Sequence, residues 1–292
     1  MIITIGVIGA GRLGTSFALF MHNKGYNVTG MYSRTYDSAH KSATLIGEFC
    51  KAYEDLSTII RDCNWIVITT RDDAISQVVR QIIDQKINLT NKIVFHMSGA
   101  STSLILEPLC SLGAEIASLH PLQTFADPVQ GALALEKAYF SLEGSSVAVE
   151  IIKNELLQLK LHHFIITAEQ KPLYHAAASM ASNSLVAVID YSLSLLEQAG
   201  INREQGVEAL FPLMETSLFN CKGKSPAKAL TGPIVRGDVE TVALHVDKIK
   251  KEAPSLLPFY YHLSQLTLET AVKEQLTDVH IINKLKELLN PE

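Results

Sequence analysis

The sequence predicts an α/β domain with a doubly wound, mostly parallel sheet, followed by an all-α domain. Short β-rich runs alternate with helical patterns through the first half, and a glycine-rich turn follows the first run directly. The second half has helical periodicity without a strand pattern. Because 292 residues exceed what one hydrophobic core usually serves, we predict two domains, 1–167 and 168–292.

The predicted strands are short and apolar or β-branched, and helical patterns such as residues 73–85 lie between several of them. Consecutive parallel strands require such crossovers. The strands are ITIGVI (3–8), YNVTGMYS (26–33), NWIVITT (64–70), KIVFHMS (92–98), AEIASLH (114–120), AYFSLEG (138–144) and HHFIIT (162–167).

The second domain is predicted to open with one long helix over residues 167–200. Thr167 and Gln170 have the spacing of a capping box, and Gly200 is a typical stop. Pro172 lies slightly inside this start, so we expect an irregular first turn or a later beginning. Helical patterns broken by Pro and Gly follow.

Composition excludes several classes of function. A net charge of -5 leaves no basic field for nucleic acid or for an anionic membrane. The longest uncharged stretch, 172–189, contains His, Asn and Ser, so it is predicted to be a buried helix rather than a membrane span. The four cysteines form no C-x-x-C pair, and the apolar start lacks a basic segment. We expect a cytoplasmic protein with reduced thiols and no metal site.

The segment GAGRLG (9–14) leaves an apolar strand and opens a helix, which is the context in which G-x-G-x-x-G binds a dinucleotide. Gly9 permits the tight turn, Gly11 lets the backbone approach a pyrophosphate, and Gly14 lets helix and strand pack closely. The alternative is a glycine turn in a domain without a ligand. The context favours a Rossmann-type cofactor site.

The residues at the end of the second strand distinguish NAD(H) from NADP(H). NAD-selective sites place an Asp or Glu there, whereas this chain has Ser33, Arg34 and Thr35. A guanidinium and two hydroxyls suit a 2′-phosphate, so NADP(H) is the predicted cofactor. Other expected cofactor contacts lie within the glycine motif and at the ends of later strands, namely Arg12, Leu13, Thr69, Thr70, Ser98 and Gly99. Solvation of Arg12 and a simple turn at Gly99 are the alternatives.

Seven motifs resemble a bacterial family that pairs a Rossmann-like domain with a helical domain of formerly unknown function. They are GAGRLG, SRT, TTRDDAI, HMSGA, SLHPLQTF, LYHAAASMASN and LTGPIVRGDVETVALH, and they span nearly the whole chain. The family is related to 6-phosphogluconate, β-hydroxyacid and pyrroline-5-carboxylate dehydrogenases or reductases. The resemblance implies a reductase, with ketopantoate as the substrate of first choice, and a homodimer built through long helices.

The chain departs from these relatives at one position. Many β-hydroxyacid dehydrogenases carry a proton-donating Lys one turn before an Asn on the first long helix of the second domain. Aligning that Asn with Asn183 puts Ser179 at the donor position. We therefore expect a neighbouring residue to donate the proton.

The long helix offers a polar stripe. His175, Ser179 and Asn183 recur every four residues amid Ala and Leu, which predicts either a cavity lining or a satisfied contact in the core or a dimer seam. His175 is the preferred proton or hydrogen-bond donor because imidazole can carry a proton near neutral pH. Asn183 would orient the carbonyl group or the nicotinamide amide, Ser179 could only relay a proton, and Lys171 is the second choice of donor.

Two further segments contribute candidates. His120 ends a strand and is held extended by Pro121, so it points to the ligand-bearing edge of the sheet or simply caps the strand. Gln123, in the following loop, is a weaker candidate for substrate binding. Arg236 is the predicted clamp for a substrate carboxylate, and an ion pair with Asp238, itself a predicted helix cap, is the alternative.

The leading hypothesis is an NADPH-dependent reductase of a small 2-oxo acid. A pyrroline carboxylate or a prephenate-like acid is the enzymatic alternative, and HPL (120–122) is similar to the HPM segment of prephenate dehydrogenases. The non-enzymatic alternative is an NADPH-binding regulator, which the missing lysine suggests.

Overall fold

The computed structural model describes residues 2–290. Its residues group into two compact units, of which the first ends at Ser182 and the second begins at Asn183. The boundary between the units therefore falls inside the helical region that follows the last strand.

One eight-stranded sheet forms the centre of the first unit. Its strands are β1 (Thr4–Ile8), β2 (Asn27–Tyr32), β3 (Lys51–Tyr53), β4 (Trp65–Ile68), β5 (Ile93–His96), β6 (Glu115–Pro121), β7 (Tyr139–Gly144) and β8 (His162–Ile165). They lie in the order β3-β2-β1-β4-β5-β6-β7-β8, and every neighbouring pair is parallel except β6 and β7. The predicted mostly parallel, doubly wound sheet is confirmed. Strand β3 was not among the predicted strands, because its three residues are too few to show a pattern.

Helices cover both faces of this sheet. They are α1 (Arg12–Asn23), α2 (Tyr36–Ile46), α3 (Leu56–Asp62), α4 (Asp72–Asp84), α5 (Pro128–Leu135), α6 (Ser146–Gln158) and α7 (Lys171–Ser179), with a 3₁₀ segment at Ser103–Leu112. Successive side chains of a strand point to opposite faces, so Trp65 joins the hydrophobic cluster under α1 while Ile66 joins the cluster under α4. This alternation explains why the central strands are apolar throughout.

The prediction of one continuous helix over residues 167–200 is wrong. Residues 168–170 form a turn, α7 begins at Lys171, and a π-helical segment, Met180–Ser184, separates α7 from the next helix. Pro172 explains the late start, because a proline fits only the first turn of a helix. The capping box is present: the N–H of Gln170 donates to Oγ1 of Thr167 at 3.3 Å, and the N–H of Thr167 donates to Oε1 of Gln170 at 2.9 Å.

The regular elements among the second unit's described residues are all helices, as predicted. Its helices are α8 (Leu185–Gln198), α9 (Arg203–Cys221), α10 (Pro226–Ala229), α11 (Pro233–Arg236), α12 (Val239–Glu252), α13 (Leu257–Ala271) and α14 (Val279–Leu288), with a 3₁₀ turn at Pro254–Leu256. Helices α11 to α14 bury a small core that includes Val242, Leu268 and Leu285. No helix within residues 2–290 combines the length and the apolar character that crossing a bilayer requires.

Candidate active site

The glycine turn joins β1 to α1 at the carboxyl edge of the sheet. Gly9 has a φ of +120°, a backbone conformation that residues with a Cβ rarely adopt. A Cβ on Gly14 would collide with the carbonyl oxygen of Gly9 and with Oγ1 of Thr69, whereas a Cβ on Gly11 would meet nothing within 4 Å. The turn is therefore tightly packed at Gly14 and open at Gly11. The unpaired N–H groups at the start of α1 can accept an anion there.

Two threonines follow β4, the strand beside β1. The Thr69 hydroxyl donates to the carbonyl oxygen of Gly9 at 2.7 Å and so ties the end of β4 to the glycine turn. The hydroxyl of Thr70 is buried, and within residues 2–290 it has no hydrogen-bond partner. An unpaired buried hydroxyl costs free energy, so this position is suited to a ligand group that pairs with it.

The Ser33–Thr35 segment lies between β2 and α2. Ser33 is half-buried, and Arg34 and Thr35 are exposed. Oγ1 of Thr35 is hydrogen-bonded to Oγ of Ser38 at 2.8 Å. No carboxylate in the described chain pairs with the Arg34 guanidinium, so its five donors are available to an anion.

The other two residues predicted inside the glycine motif differ in burial. Arg12 is the exposed first residue of α1. Leu13 is half-buried and packs against the core beneath that helix. Arg12 thus faces solvent, while Leu13 supports the turn from below.

Two histidines from distant parts of the sequence meet beside Gly99. The ring centroids of His120, on β6, and His175, on α7, are 6.2 Å apart. A Cβ on Gly99 would lie 2.8 Å from Nε2 of His120 and 2.5 Å from Cδ2 of His175. Gly99 therefore has to be glycine for both rings to occupy their positions. Its neighbour Ser98 accepts hydrogen bonds from the N–H groups of Ala100 and Ser101, at 3.1 and 2.9 Å.

A polar patch surrounds these histidines on one face of the β6–β7 pair. Ser118 lies opposite Glu143 in the antiparallel register, and His120 lies opposite Ser141. Directly opposed residues share one face of a sheet, and residues two apart along a strand do as well. The intervening residue Leu119 points into the apolar core on the other face. The antiparallel pairing thus collects four polar side chains on one side.

Lys171, the first residue of α7, is completely buried within this patch. Its ammonium donates a short hydrogen bond to Oγ of Ser118 and lies 3.4 Å from Oε1 of Glu143. The same carboxylate accepts hydrogen bonds from the N–H and the hydroxyl of Ser103, at 2.7 and 2.6 Å. Lys171 was predicted to bind substrate or to serve as second choice of donor. In this structure its polar contacts lie within the patch.

His96, at the end of β5, lies under the patch and is fixed by backbone groups. Its Nε2 lies 3.1 Å from the carbonyl oxygen of Thr102, which can only accept, so this nitrogen carries the proton. Its Nδ1 accepts from the N–H of Ser98 at 3.2 Å. Burial lowers the pKa of His96 to about 4, and its ring is therefore neutral at physiological pH.

Burial and positive neighbours also act on His120. Desolvation is the largest cause, the charge of Lys171 follows, and together with the nearby imidazoles they lower the pKa of His120 to about 4. Burial likewise lowers the pKa of Lys171, while Glu143 opposes that shift. His120 is thus a neutral imidazole at pH 7. It can donate one hydrogen bond but does not carry a positive charge into the site.

The remaining predicted substrate residues lie in several places. Ser179 is half-buried at the end of α7. Asn183 lies on the π-helical segment, where the altered winding changes its angular position relative to the α-helical stripe that the sequence predicted. Gln123 is exposed in the loop after β6, and its side-chain oxygen accepts from the N–H of Thr124 at 2.8 Å.

Arg236 belongs to the second unit, where it is the exposed last residue of α11. Asp238 caps α12 and accepts from the N–H and the hydroxyl of Thr241, at 3.1 and 2.7 Å. These hydrogen bonds are the main cause of its lowered pKa, and the charge of Arg236 adds to it. The two residues form no ion pair in the described structure.

Sequence reasoning missed five residues of the patch, namely His96, Ser118, Ser141, Glu143 and Tyr174. A signal was present for three of them, because Ser118 and His120 alternate with apolar residues in one strand while Ser141 and Glu143 do so in another. Two strands in which polar and apolar residues alternate predict that one face of the sheet is polar at these strands. The pairing of these strands with each other is set by tertiary structure.

Two family models match the chain. Residues 2–121 match the model of a Rossmann-like domain. Residues 138–267 match the model of DUF2520, a domain of unknown function. The chain therefore joins a Rossmann-like domain to a DUF2520 domain, which confirms the architecture that the resemblance implied.

The chain is also similar to individual proteins at low identity. It is 25% identical over 166 residues to the glutamyl-tRNA reductase of Sulfurisphaera tokodaii, a match covering 56% of this chain and 34% of that protein, so the chain spans about a third of that relative. An imine reductase from Pseudomonas sp. has a TM-score of 0.65 at 19% identity, covering 99% of both chains. A reductive aminase from Aspergillus terreus in complex with NADPH has a TM-score of 0.64 at 16% identity, covering 98% of this chain and 99% of that one. The chain shares the fold of both structures.

The buried ion pair yields a prediction about stability. Replacing Lys171 with Met leaves the Glu143 carboxylate buried without its cation, and breaking a buried pair typically costs about 3–5 kcal/mol. We expect the free energy of unfolding of Lys171→Met, measured by urea titration, to fall by that amount. Combining it with Glu143→Gln, which removes the unpaired charge, should restore part of the loss.

Lys24→Met is the matched control, because Lys24 pairs with Glu136 at 2.8 Å on the surface. Exposed pairs contribute about 0–1 kcal/mol. A loss in Lys171→Met no larger than in this control would contradict the role of the buried pair.

Proposed function

We propose that the protein is an NADPH-dependent reductase of a small 2-oxo acid, with ketopantoate (2-dehydropantoate) as the preferred substrate. The observation that carries this proposal is the continuity of one edge of the sheet. The glycine turn, Thr69, Gly99 and His120 lie at the ends of β1, β4, β5 and β6, which are neighbours in the sheet. A dinucleotide bound at the glycine turn can extend along this edge toward the two histidines.

Several features of the described residues fit NADPH. The open side of Gly11, the unpaired buried hydroxyl of Thr70 and the free Arg34 guanidinium suit a pyrophosphate, a polar ligand group and a 2′-phosphate respectively. The shared fold of an NADPH-bound reductive aminase supports the same assignment. When bound, NADPH supplies a hydride, with its two electrons, to the carbonyl carbon.

The chain's own residues would divide the remaining chemistry. His175, in its imidazolium form, gives a proton to the carbonyl oxygen, becomes neutral and is reprotonated from solvent. His120, a neutral imidazole, donates a hydrogen bond to the same oxygen, a role in which an uncharged donor polarises a carbonyl. Arg236 is the proposed clamp for the carboxylate, and Asn183, Ser179 and Gln123 are proposed to orient the substrate. Lys171 holds the patch together rather than touching substrate.

Reduction of a C=N bond in a small imino acid is the second candidate. The nearest buried cation, Lys171, is paired with Glu143, and His120 is neutral, so this face does not strongly repel a protonated imine. The shared fold of an imine reductase also favours this candidate. A pyrroline carboxylate therefore belongs in the same substrate panel as ketopantoate, as does a prephenate-like acid.

We also propose that the protein is a cytoplasmic homodimer formed through α9. This 19-residue helix buries only Gly206, while Val207, Phe211 and Leu218 are exposed by 38, 49 and 58%. Their spacing of four and seven places them within about 40° of one another on one side of the helix. A second copy of this apolar face is the occupant that the family resemblance implies.

Turnover tests the main proposal. Purified protein should oxidise NADPH, followed by absorbance, with ketopantoate faster than with other 2-oxo acids, a pyrroline carboxylate or a prephenate-like acid. His175→Ala should lower kcat by about 10²- to 10⁴-fold, as loss of an acid–base group does. His162→Ala, an exposed position on the edge strand β8, is the control and should keep full activity. Tight NADPH binding without turnover of any substrate would favour a regulator instead.

Cofactor choice tests the role of Arg34. Losing one charge-assisted contact of about 1.5–3 kcal/mol should raise the Kd for NADPH about 10- to 100-fold in Arg34→Ala and leave the Kd for NADH unchanged. Titration by nicotinamide fluorescence measures both constants. Arg80→Ala is the matched control, because Arg80 is exposed on the later turns of α4, away from the carboxyl edge of the sheet. Equal weakening of NADPH and NADH would disprove 2′-phosphate recognition.

Oligomeric state tests the α9 surface. Light scattering coupled to size exclusion should give twice the mass of one chain, and Phe211→Glu should give the single-chain mass because a charge cannot be buried in an apolar seam without a large cost. Val279→Glu, at an exposed position of α14, should remain dimeric. A monomeric unaltered protein, or a dimeric Phe211→Glu variant, would contradict this surface.

A further inference from the structure

Tyr174 has no role in the proposed chemistry so far, yet it contacts a proposed catalytic residue directly. Its Oη lies 2.7 Å from Nδ1 of His120. Its ring meets the His120 ring edge to face at a centroid distance of 5.7 Å and the Phe164 ring at 5.6 Å. Lys171 and Tyr174 are three residues apart on α7, so the buried ion pair and this tyrosine share one side of the helix.

The phenol is the favoured donor in the hydrogen bond between Tyr174 and His120. The ring of His120 is neutral, so only one of its two nitrogens carries hydrogen. Burial raises the pKa of Tyr174, so the phenol keeps its proton at neutral pH. An imidazole nitrogen is a stronger acceptor than a phenol oxygen, so the phenol proton is directed to Nδ1 of His120.

We propose that Tyr174 is a positioning residue that fixes the tautomer of His120, keeping the ring proton on Nε2, the nitrogen nearest Gly99. The proposal deepens the reductase function and rests on it for its kinetic consequence. The tautomer itself can be measured in the protein without substrate, independently of any turnover.

The position of Nε2 explains why the tautomer matters. Nε2 faces the point where a Cβ of Gly99 would lie 2.8 Å away, beside His175. With hydrogen on Nε2, the ring can donate to a carbonyl oxygen at this edge. With hydrogen on Nδ1, Nε2 would present a lone pair that repels the same oxygen. No proton leaves His120 in either state, because His175 is the group that protonates the oxygen.

Nitrogen NMR measures the tautomer directly. The protein is labelled with ¹⁵N-histidine, and the ring signals of His120 are assigned by their absence in His120→Gln. In the unaltered protein we expect a protonated Nε2 and an unprotonated Nδ1 at neutral pH. In Tyr174→Phe, which keeps the ring contacts and removes only the hydroxyl, we expect the His120 signals to move toward a mixture of tautomers.

Tyr139→Phe is the matched control. Tyr139 lies on β7, where its ring stacks on His162 at a centroid distance of 4.7 Å, and its hydroxyl makes no hydrogen bond within residues 2–290. This variant should leave the His120 ring signals in place. Urea titration of both variants establishes that they are folded.

Kinetics supplies the second readout. Because one oriented hydrogen bond is at stake, kcat should fall about tenfold in Tyr174→Phe while KM stays near that of Tyr139→Phe. A His120 ring protonated on Nδ1 in the unaltered protein, or an unchanged tautomer in Tyr174→Phe, would overturn the proposal. So would equal kcat values in the two variants. Absence of all turnover would refute the reductase function, and the NMR result would then decide the assignment of Tyr174 by itself.

Discussion

The buried ion pair between Lys171 and Glu143 is the interaction on which the candidate site depends. A lysine in the first turn of a helix is disfavoured by the helix dipole, and a fully buried ammonium is disfavoured by desolvation. Glu143 compensates both costs from the sheet, and Ser118 and Ser103 satisfy the remaining polar atoms. The pair therefore fixes where α7 begins, and the position of α7 in turn determines where Tyr174 and His175 lie.

The antiparallel β6–β7 pair makes this arrangement possible. In a fully parallel sheet the next strand would be expected to contribute apolar residues on both faces. Here β7 runs in the opposite direction, so Ser141 and Glu143 come opposite His120 and Ser118. The remaining strands keep the parallel order that brings the glycine turn, Thr69 and Gly99 to one edge. The same sheet thus combines an edge suited to binding a dinucleotide with a face that carries polar, ionisable side chains.

The electrostatic consequence is that two imidazoles of the candidate site are neutral. His96 and His120 are neutral because burial removes water from both and because the Lys171 ammonium lies near them. His96 is held by backbone groups, so its protonated nitrogen is fixed without any side chain. Within residues 2–290 the hydrogen-bond partner of the His120 ring is a side chain, that of Tyr174. The contact with Tyr174 is the reason for assigning the His120 tautomer to a side chain in the proposal above.

The sequence alone determined the features that depend on local spacing. The apolar strands, the glycine turn at residues 9–14, the capping box of Thr167 and Gln170 and the helical character of the second half all follow from neighbours along the chain. Tertiary structure decided the direction of β7, the burial of Lys171, the interruption of the long helix after Ser179 and the contact of His120 with Tyr174. The physical reason is that the partner of a buried charge is set by which elements pack together, and not by spacing along the chain. In this chain Glu143 and Lys171 lie 28 residues apart and on different elements, a pairing that no periodicity records.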